Sequence, residues 1–323
     1  MSGEIVLLAP NDSLLESYRG VAPEGAEITW VDAGLSQEDL AEQLKDAVAI
    51  IANSAFTLDI ARLCPKLKLV QVTSAGTDRF DLLALGEMGI RVANNGGGNA
   101  PTVAEHTISL MIGVYRKMHL QYQAVRSGEW GGSIRADWYH QAHELTGKTV
   151  GIVGLGRIGQ QVAKRLHGWD CNLVYYDPFD VPRDVETELN VTRIDLDEVL
   201  RTSDIVTLHV PLMGSTRGMI SDREFGLMKP TAVLINACRG PVVDEAALIR
   251  ALNAQEISAA GLDVLEEEPT PKDNPLLKMD NVVVTAHMAS FAQESGERSR
   301  LFAMGNVARV ARGEEPTSIV LPE

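Results

Sequence analysis

The chain has 323 residues, 45% of them hydrophobic, and sets 29 Lys and Arg against 44 Asp and Glu for a net charge of −15. That length suggests two domains of ordinary size, and no run approaches the ~20 apolar residues that a membrane span needs. The charge repels nucleic acid and anionic membrane surfaces, so any anionic ligand must be held by a local site working against the overall field.

The first segment, 1-MSGEIVLLAPNDS, has no basic leader ahead of its short apolar run, which reads as a strand and not as a signal peptide. Cys64, Cys171 and Cys238 lie far apart, with neither metal-ligand spacing nor the density of a disulfide scaffold. A compact cytoplasmic protein without a structural metal is the expectation.

Short apolar runs then alternate with helical patterns. The runs are 4-EIVLLA, 27-EITWVDA, 48-VAIIANSA, 67-LKLVQVTSAG and 90-IRVANN, with 36-SQEDLAEQLKDA and 80-FDLLALGEMG between them. Such alternation implies a parallel sheet with helices on both faces. Next comes 95-NGGGNAPTVAEHTISLMIGVYRKMHL, a glycine-rich loop that places Pro101 in a first helical turn, and a plausible hinge between domains. A second series follows: 148-KTVGIVG, 172-NLVYYD, 204-DIVTLHV, 231-TAVLINA, 258-SAAGLDV and 281-NVVVTAH. Their continuous apolar character suits strands buried on both faces. From about Ser290 the chain has a helical pattern and then 316-PTSIVLPE, too short for a further domain and expected to pack back on the first.

The strongest chemical signal is 149-TVGIVGLGRIGQQVAKRL. Gly154, Gly156 and Gly159 form a GxGxxG after an apolar strand and before a helix, the context that makes the pattern a dinucleotide fingerprint. Gly154 permits the tight turn, Gly156 lets a pyrophosphate approach the backbone, and Gly159 lets helix and strand pack closely. The amides around Arg157 and Ile158 then face the phosphates at a helix N-terminus. Asp177 closes the next strand eighteen residues past Gly159, where a carboxylate hydrogen-bonds ribose hydroxyls and repels a 2′-phosphate. NAD is the expected cofactor; the alternative is an Asp that only starts a turn before Pro178.

Ligands of doubly wound sheets sit beyond the carboxyl ends of the strands. Three strands of the second series end in reactive residues: Arg239 after 233-VLINAC, Glu268 shortly after 261-GLDVL, and His287 after 281-NVVVTA. Oxidising a secondary alcohol with NAD sends a hydride to the nicotinamide while a base takes the hydroxyl proton, and a His titrates in the right range for both directions. A carboxylate on the imidazole's other nitrogen fixes its tautomer and raises its pKa, and an Arg presents a planar fork to a carboxylate. Each also has a plainer reading: an Arg paired with a surface acid, a solvated turn through Glu266, Glu267 and Glu268, a structural His.

The runs 154-GLGRIG, 235-INACRGPVVDEAAL, 261-GLDVLEEEP and 285-TAHMAS, together with 72-VTSAGTDRFD and 99-NAPTVAEHT upstream, resemble the D-isomer-specific 2-hydroxyacid dehydrogenases over nearly the whole chain. The resemblance implies an α/β fold of two doubly wound parallel-sheet domains, a Rossmann NAD-binding domain and a smaller flavodoxin-like substrate domain. Residues 1–100 plus 290–323 form the substrate domain and 101–289 the NAD-binding domain, with the active site in the cleft and a homodimer formed mainly through the cofactor domain. It makes Arg239 the ligand of the substrate's carboxylate and carbonyl, His287 the general acid and base, and Glu268 the residue that orients and tunes His287. Ser74, Ala75 and Gly76 match the backbone cradle for the carboxylate, unless they form only a strand-to-helix turn. Asp263 matches a position that contacts the nicotinamide carboxamide, or else is a strand cap; Thr102, His209 and Pro211 match cofactor-lining positions.

Phosphoglycerate dehydrogenases of that family carry phosphate-binding arginines after the third strand, where this chain has Asn53, Ser54, Ala55 and Phe56. A phosphate with about two charges wants such a clamp, so an unphosphorylated acid such as glyoxylate or hydroxypyruvate is the expected substrate. Only 36 residues follow His287, so no regulatory domain is expected there, and Glu268 argues against formate dehydrogenase, whose relatives usually have Gln at that place. Phe56 faces either the substrate side chain or the core; Trp130, Trp138 and Tyr139, in 128-GEWGGSIRADWYH, reach a cleft or partner subunit, or simply pack. Phosphoglycerate dehydrogenase is the alternative enzyme, and an NAD(H)-sensing co-regulator the alternative from another class.

Overall fold

The computed structural model describes residues 4–52, 55–131 and 138–322. The chain divides into two compact units, Met1–Asn99 with Ala292–Glu323 and Ala100–Phe291.

The first unit holds five parallel strands, β1 (Glu4–Ala9), β2 (Ile28–Asp32), β3 (Ala47–Ala52), β4 (Leu69–Val72) and β5 (Arg91–Ala93), in the order β2-β1-β3-β4-β5. That is the flavodoxin-like order. Alternate residues of β1 enter opposite cores. Val6 and Leu8 pack with Leu40, Leu44, Ile60 and Leu85, whereas Ile5 and Leu7 meet Tyr18 and the helix Gln293–Ala311 through Ala303, Met304 and Val307. Both faces are therefore covered, which is why these strands read as unbroken apolar runs. The tail continues on the same sheet: Ile319 bridges Ala93, and the Val320 amide donates to the Val92 carbonyl.

The second unit holds seven parallel strands: β6 (Thr149–Val153), β7 (Asn172–Tyr176), β8 (Val191–Arg193), β9 (Ile205–Leu208), β10 (Val233–Asn236), β11 (Ala259–Leu262) and β12 (Val282–Val284). Their order is β12-β11-β10-β9-β6-β7-β8. Counted from β6, it is the Rossmann order with one strand added beyond the sixth. Again one residue points each way. Val150 and Ile152 pack under the helices Ala100–Tyr115 and Arg157–Leu166, and Val153 packs with Val199, Leu200 and Leu248 on the opposite face. The chain order reverses direction between β6 and β9, so the crevice where a dinucleotide binds in such sheets opens beyond the ends of these two strands. No helix among the described residues is long and apolar enough to cross a membrane.

Candidate active site

The turn after β6 has the geometry its glycines demand. Gly154 sits at φ +95, and a Cβ there would come within 2.8 Å of the His209 carbonyl oxygen at the end of β9. A Cβ on Gly159 would lie 2.2 Å from the Gly154 carbonyl, so the helix Arg157–Leu166 touches the strand end only because that residue is glycine. Gly156 differs: a Cβ on it would meet nothing within 4 Å. The backbone there faces open space, and no side chain caps the helix that starts at Arg157. Amides at an uncapped N-terminus beside an open glycine are what a pyrophosphate needs.

The rest of the dinucleotide crevice fits the same group. Asp177, half-buried at the end of β7, accepts from the Leu155 amide at 2.8 Å and from the Phe179 amide at 2.9 Å. These two bonds fix the carboxylate and leave acceptor capacity for ribose hydroxyls, since an ionised carboxylate has about four lone-pair sites. His209 pairs its Nε2 with the Thr207 hydroxyl at 2.9 Å, while its Nδ1 is enclosed without a protein partner. Burial pushes this imidazole down to about 3, so it stays neutral. Pro211 is exposed just beyond it, and Thr102 is half-buried in the first turn of Ala100–Tyr115.

The three residues expected to carry the chemistry lie on successive strand ends of one sheet. Asn236, buried at the end of β10, shapes the turn that carries Arg239: its Nδ2 donates to the Arg239 carbonyl and its Oδ1 accepts from the Cys238 amide. The guanidinium is half-buried and donates to the Cys238 carbonyl at 2.8 Å. Gly240 follows, packed so tightly that a Cβ would lie 1.8 Å from the Leu265 carbonyl oxygen. That contact sets the β10 turn directly against the segment leading to Glu268.

Glu268 is held at both oxygens. Oε1 accepts from the Leu265 amide at 3.2 Å, and Oε2 meets His287 Nδ1 at 2.7 Å. A carboxylate only accepts, so Nδ1 carries the proton of that bond and Nε2 is the nitrogen left to meet a substrate. The His287 side chain keeps 46% of its surface exposed. Its backbone is unusual: φ is +54, in the left-handed region.

Asp263 occupies the centre of this arrangement and is only 1% exposed. Its carbonyl accepts from the His287 amide at 2.7 Å. Its Oδ1 accepts from the Met288 amide and the Thr285 hydroxyl, and its Oδ2 from the Ala289 amide. His106, on the helix Ala100–Tyr115, reaches the Thr285 hydroxyl at 2.9 Å and Oδ1 of Asp263 at 3.4 Å. Burial pushes the Asp263 carboxyl up, and the bonds from His106, Thr285, Ala289 and Met288 together outweigh it, holding the group at about 2. Asp263 thus spends its carboxylate within its own chain. Neither Thr285 nor His106 stood out as a site residue in the sequence, although a His on an otherwise apolar helix face was a signal to follow.

The remaining expected residues fall elsewhere in the chain. Ser74, Ala75 and Gly76 form the bend after β4, where the Ser74 carbonyl accepts from the Asn95 amide and the Ala75 carbonyl from Asn94 Nδ2. Phe56 is buried and stacked on Phe80 at 6.3 Å, which makes it a core residue of its unit and not a wall for a substrate. Asn53 and Ser54 lie outside the described residues, as do 132–137 within the stretch that carries the aromatics. Trp130 and Tyr139 are largely exposed and Trp138 half-buried.

Comparison with known proteins agrees with this geometry. The family described as D-isomer specific 2-hydroxyacid dehydrogenase, NAD binding domain, matches residues 108–289. A D-3-phosphoglycerate dehydrogenase of Methanocaldococcus jannaschii is 37% identical over 319 residues, 98% of this chain, but the chain spans only 59% of that protein's length. A glyoxylate reductase of Thermofilum pendens is 39% identical over 291 residues, 89% of this chain and 85% of the reductase. Among solved structures, the holo form of D-mandelate dehydrogenase from Rhodotorula graminis matches with a TM-score of 0.85 at 29% identity, over 98% of this chain and 97% of that one. With the dinucleotide turn, the strand order and these relatives in agreement, the chain belongs to the D-isomer specific 2-hydroxyacid dehydrogenase family, and its cofactor is NAD.

Proposed function

We propose that the protein is an NAD-dependent 2-keto acid reductase, reversible as a D-2-hydroxyacid dehydrogenase, acting on an unphosphorylated acid of the size of glyoxylate or hydroxypyruvate. The observation that carries the reading is the 2.7 Å pair between His287 Nδ1 and Glu268, on strand ends of the dinucleotide-binding sheet. NADH, when bound, supplies the hydride. In the direction of reduction, His287 gives the proton on Nε2 to the carbonyl oxygen as charge develops there, and in oxidation it takes the same proton from the hydroxyl. Glu268 holds the ring so that Nε2 is presented, and stabilises the imidazolium between turnovers.

Arg239 takes the substrate carboxylate and polarises the neighbouring carbonyl, which a planar guanidinium does better than an ammonium. Ser74, Ala75 and Gly76 remain in the proposal as backbone donors to that carboxylate, on the strength of their motif. Asp177 with the Gly154–Gly159 turn selects NAD over NADP. We further propose a cytoplasmic location, from three separate free thiols, and a homodimer formed through the cofactor domain. Supporting the homodimer, Met118, Tyr122 and Val125 lie exposed along the helix Met118–Arg126, with Trp130 and Tyr139 following in the same unit.

The substrate is tested by NADH oxidation against glyoxylate, hydroxypyruvate, pyruvate, branched and aromatic keto acids, and phosphohydroxypyruvate. The reading expects the highest kcat/KM on an unphosphorylated member. Preference for phosphohydroxypyruvate would overturn it in favour of a phosphoglycerate dehydrogenase, the activity named for the Methanocaldococcus relative. Silence across the panel with NADH still bound would point to a keto acid outside the panel or to an NAD(H)-sensing co-regulator.

A further inference from the structure

Three features of the Ala100–Phe291 unit fit together without help from any ligand. The first is the backbone of His287, held at φ +54, where a side chain with a Cβ is disfavoured and stays only if its surroundings over-determine it. The second is how completely one residue supplies those surroundings. Asp263 binds three successive amides, that of His287 through its carbonyl and those of Met288 and Ala289 through its two carboxylate oxygens, at 2.7, 2.9 and 2.8 Å. The third is that Asp263 is itself steered from another element, by Thr285 and His106.

The direction of these bonds follows from counting protons. Asp263 is ionised, so its oxygens only accept. Thr285 has one hydroxyl proton, and at 2.6 Å from Oδ1 it gives that proton to Asp263. The Thr285 oxygen must then accept from His106, which fixes Nε2 as a protonated nitrogen of that imidazole. The result is a one-way chain of donors, His106 to Thr285 to Asp263, ending on the acceptor that cages the His287 backbone. Because His106 sits on the helix Ala100–Tyr115, which packs across β10, β11 and β12, the chain ties the turn after β12 to a rigid body.

We propose that His106 is a positioning residue for His287, acting through Thr285 and Asp263 to hold the turn after β12 in the left-handed conformation that presents the imidazole; the inference rests on the reading of His287 as acid and base. His106 touches neither Glu268 nor the reacting nitrogen. Its loss therefore leaves the His287–Glu268 pair chemically intact and loosens only the placement of the ring.

The test compares His106→Ala, His106→Gln, Thr285→Val and the double variant His106→Ala with Thr285→Val, alongside His287→Ala, in the full chain with NADH and the keto acid that the wild type turns over best. A misplacement of ~1 Å at a reacting group costs up to about 100-fold, so His106→Ala should lower kcat by about 10- to 100-fold while KM for NADH stays within about twofold. Gln carries a donor nitrogen at a reach close to that of imidazole Nε2, so His106→Gln should recover kcat to within about threefold of the wild type. Since His106 and Thr285 converge on Asp263, the double variant should be about as impaired as the more impaired of the two single ones. Amide exchange at Met288 and Ala289, followed by mass spectrometry on the holoprotein, should accelerate in His106→Ala and return in His106→Gln.

Wild-type kcat with unchanged exchange in His106→Ala overturns the proposal, as does a Gln variant no better than Ala, or a double variant whose losses multiply. The reading beneath it fails separately: if His287→Ala keeps near-normal turnover, His287 is not the acid and base, whatever His106 does to exchange. If His287→Ala collapses and His106→Ala does not, only the positioning inference is lost.

Discussion

Gly240 offers a stringent trial of the site's geometry, because the structure assigns it no chemistry and yet makes it indispensable to the spacing. It follows Arg239, and a Cβ at this position would lie 1.8 Å from the Leu265 carbonyl oxygen, 2.1 Å from its carbon and 2.6 Å from the Glu266 nitrogen. All three are backbone atoms, so no side chain can swing aside. For Gly240→Ala the Leu265 carbonyl must retreat by about 1.6 Å to reach ordinary contact at ~3.4 Å, or the Arg239 turn must withdraw as far. Leu265 donates its amide to Glu268, so a displaced Leu265 carries Glu268 with it and breaks the 2.7 Å contact to His287. A misplacement beyond 1 Å at a reacting group is worth on the order of 100-fold, and backbone overpacking costs about 1–3 kcal/mol of stability. Stopped-flow measurement of NADH oxidation gives the first number, and thermal unfolding with and without NADH the second. The expected variant still binds NADH, because the Gly154 turn lies two strands away, but has lost about two orders of magnitude in kcat. A Gly240→Ala protein with wild-type kcat would refute the claim that the Arg239 turn and the Glu268 segment are held in register by backbone contact.

Other perturbations separate the roles of individual residues. If Arg239 holds the substrate carboxylate as proposed, Arg239→Ala should raise KM for the keto acid by about 10- to 100-fold with a smaller change in kcat, read from steady-state kinetics. Asp177→Ala should narrow the preference for NADH over NADPH by about fivefold or more, measured as a ratio of kcat/KM values; an unchanged ratio removes the ribose assignment. Asp263, held at about 2 against an ordinary value of 3.8, has its folded-state pKa depressed. It therefore contributes stability that is present above about pH 4 and is lost as pH falls towards 2, on the order of 2 kcal/mol. Acid unfolding of wild type against Asp263→Asn checks this, since the variant should lack that proton-linked component.

Much of the architecture was legible because parallel sheets covered on both faces write continuous apolar runs. Runs such as 48-VAIIANSA and 231-TAVLINA became β3 and β10 within a residue or two of their apolar centres. The strand β8 escaped notice for the converse reason: three residues, Val191–Arg193, at the sheet edge, with Thr192 and Arg193 exposed, leave almost no pattern. The glycine fingerprint was readable because its three glycines stand at fixed short spacing between an apolar run and a helical pattern, whatever each of them meets in space. Asp263 was not. Its partners, His106 and Thr285, are separated from one another by 179 positions, and nothing local in 261-GLDVL says that the carboxylate will be spent on the backbone after β12. For Phe56 the sequence left two readings open, and only the fold, which brings Phe80 from another segment of the unit against it, selects the core.

The account turns on His287 as the proton carrier, and the measurement that bears on it most directly is kcat for NADH oxidation by wild type and His287→Ala on the best unphosphorylated keto acid, with NADH binding measured in parallel. Loss of acid-base catalysis is worth about 10²–10⁴-fold, so the variant should bind NADH as before and turn over at least about a hundred times more slowly. A His287→Ala protein that binds NADH and reduces the keto acid at close to the wild-type rate would contradict the mechanism.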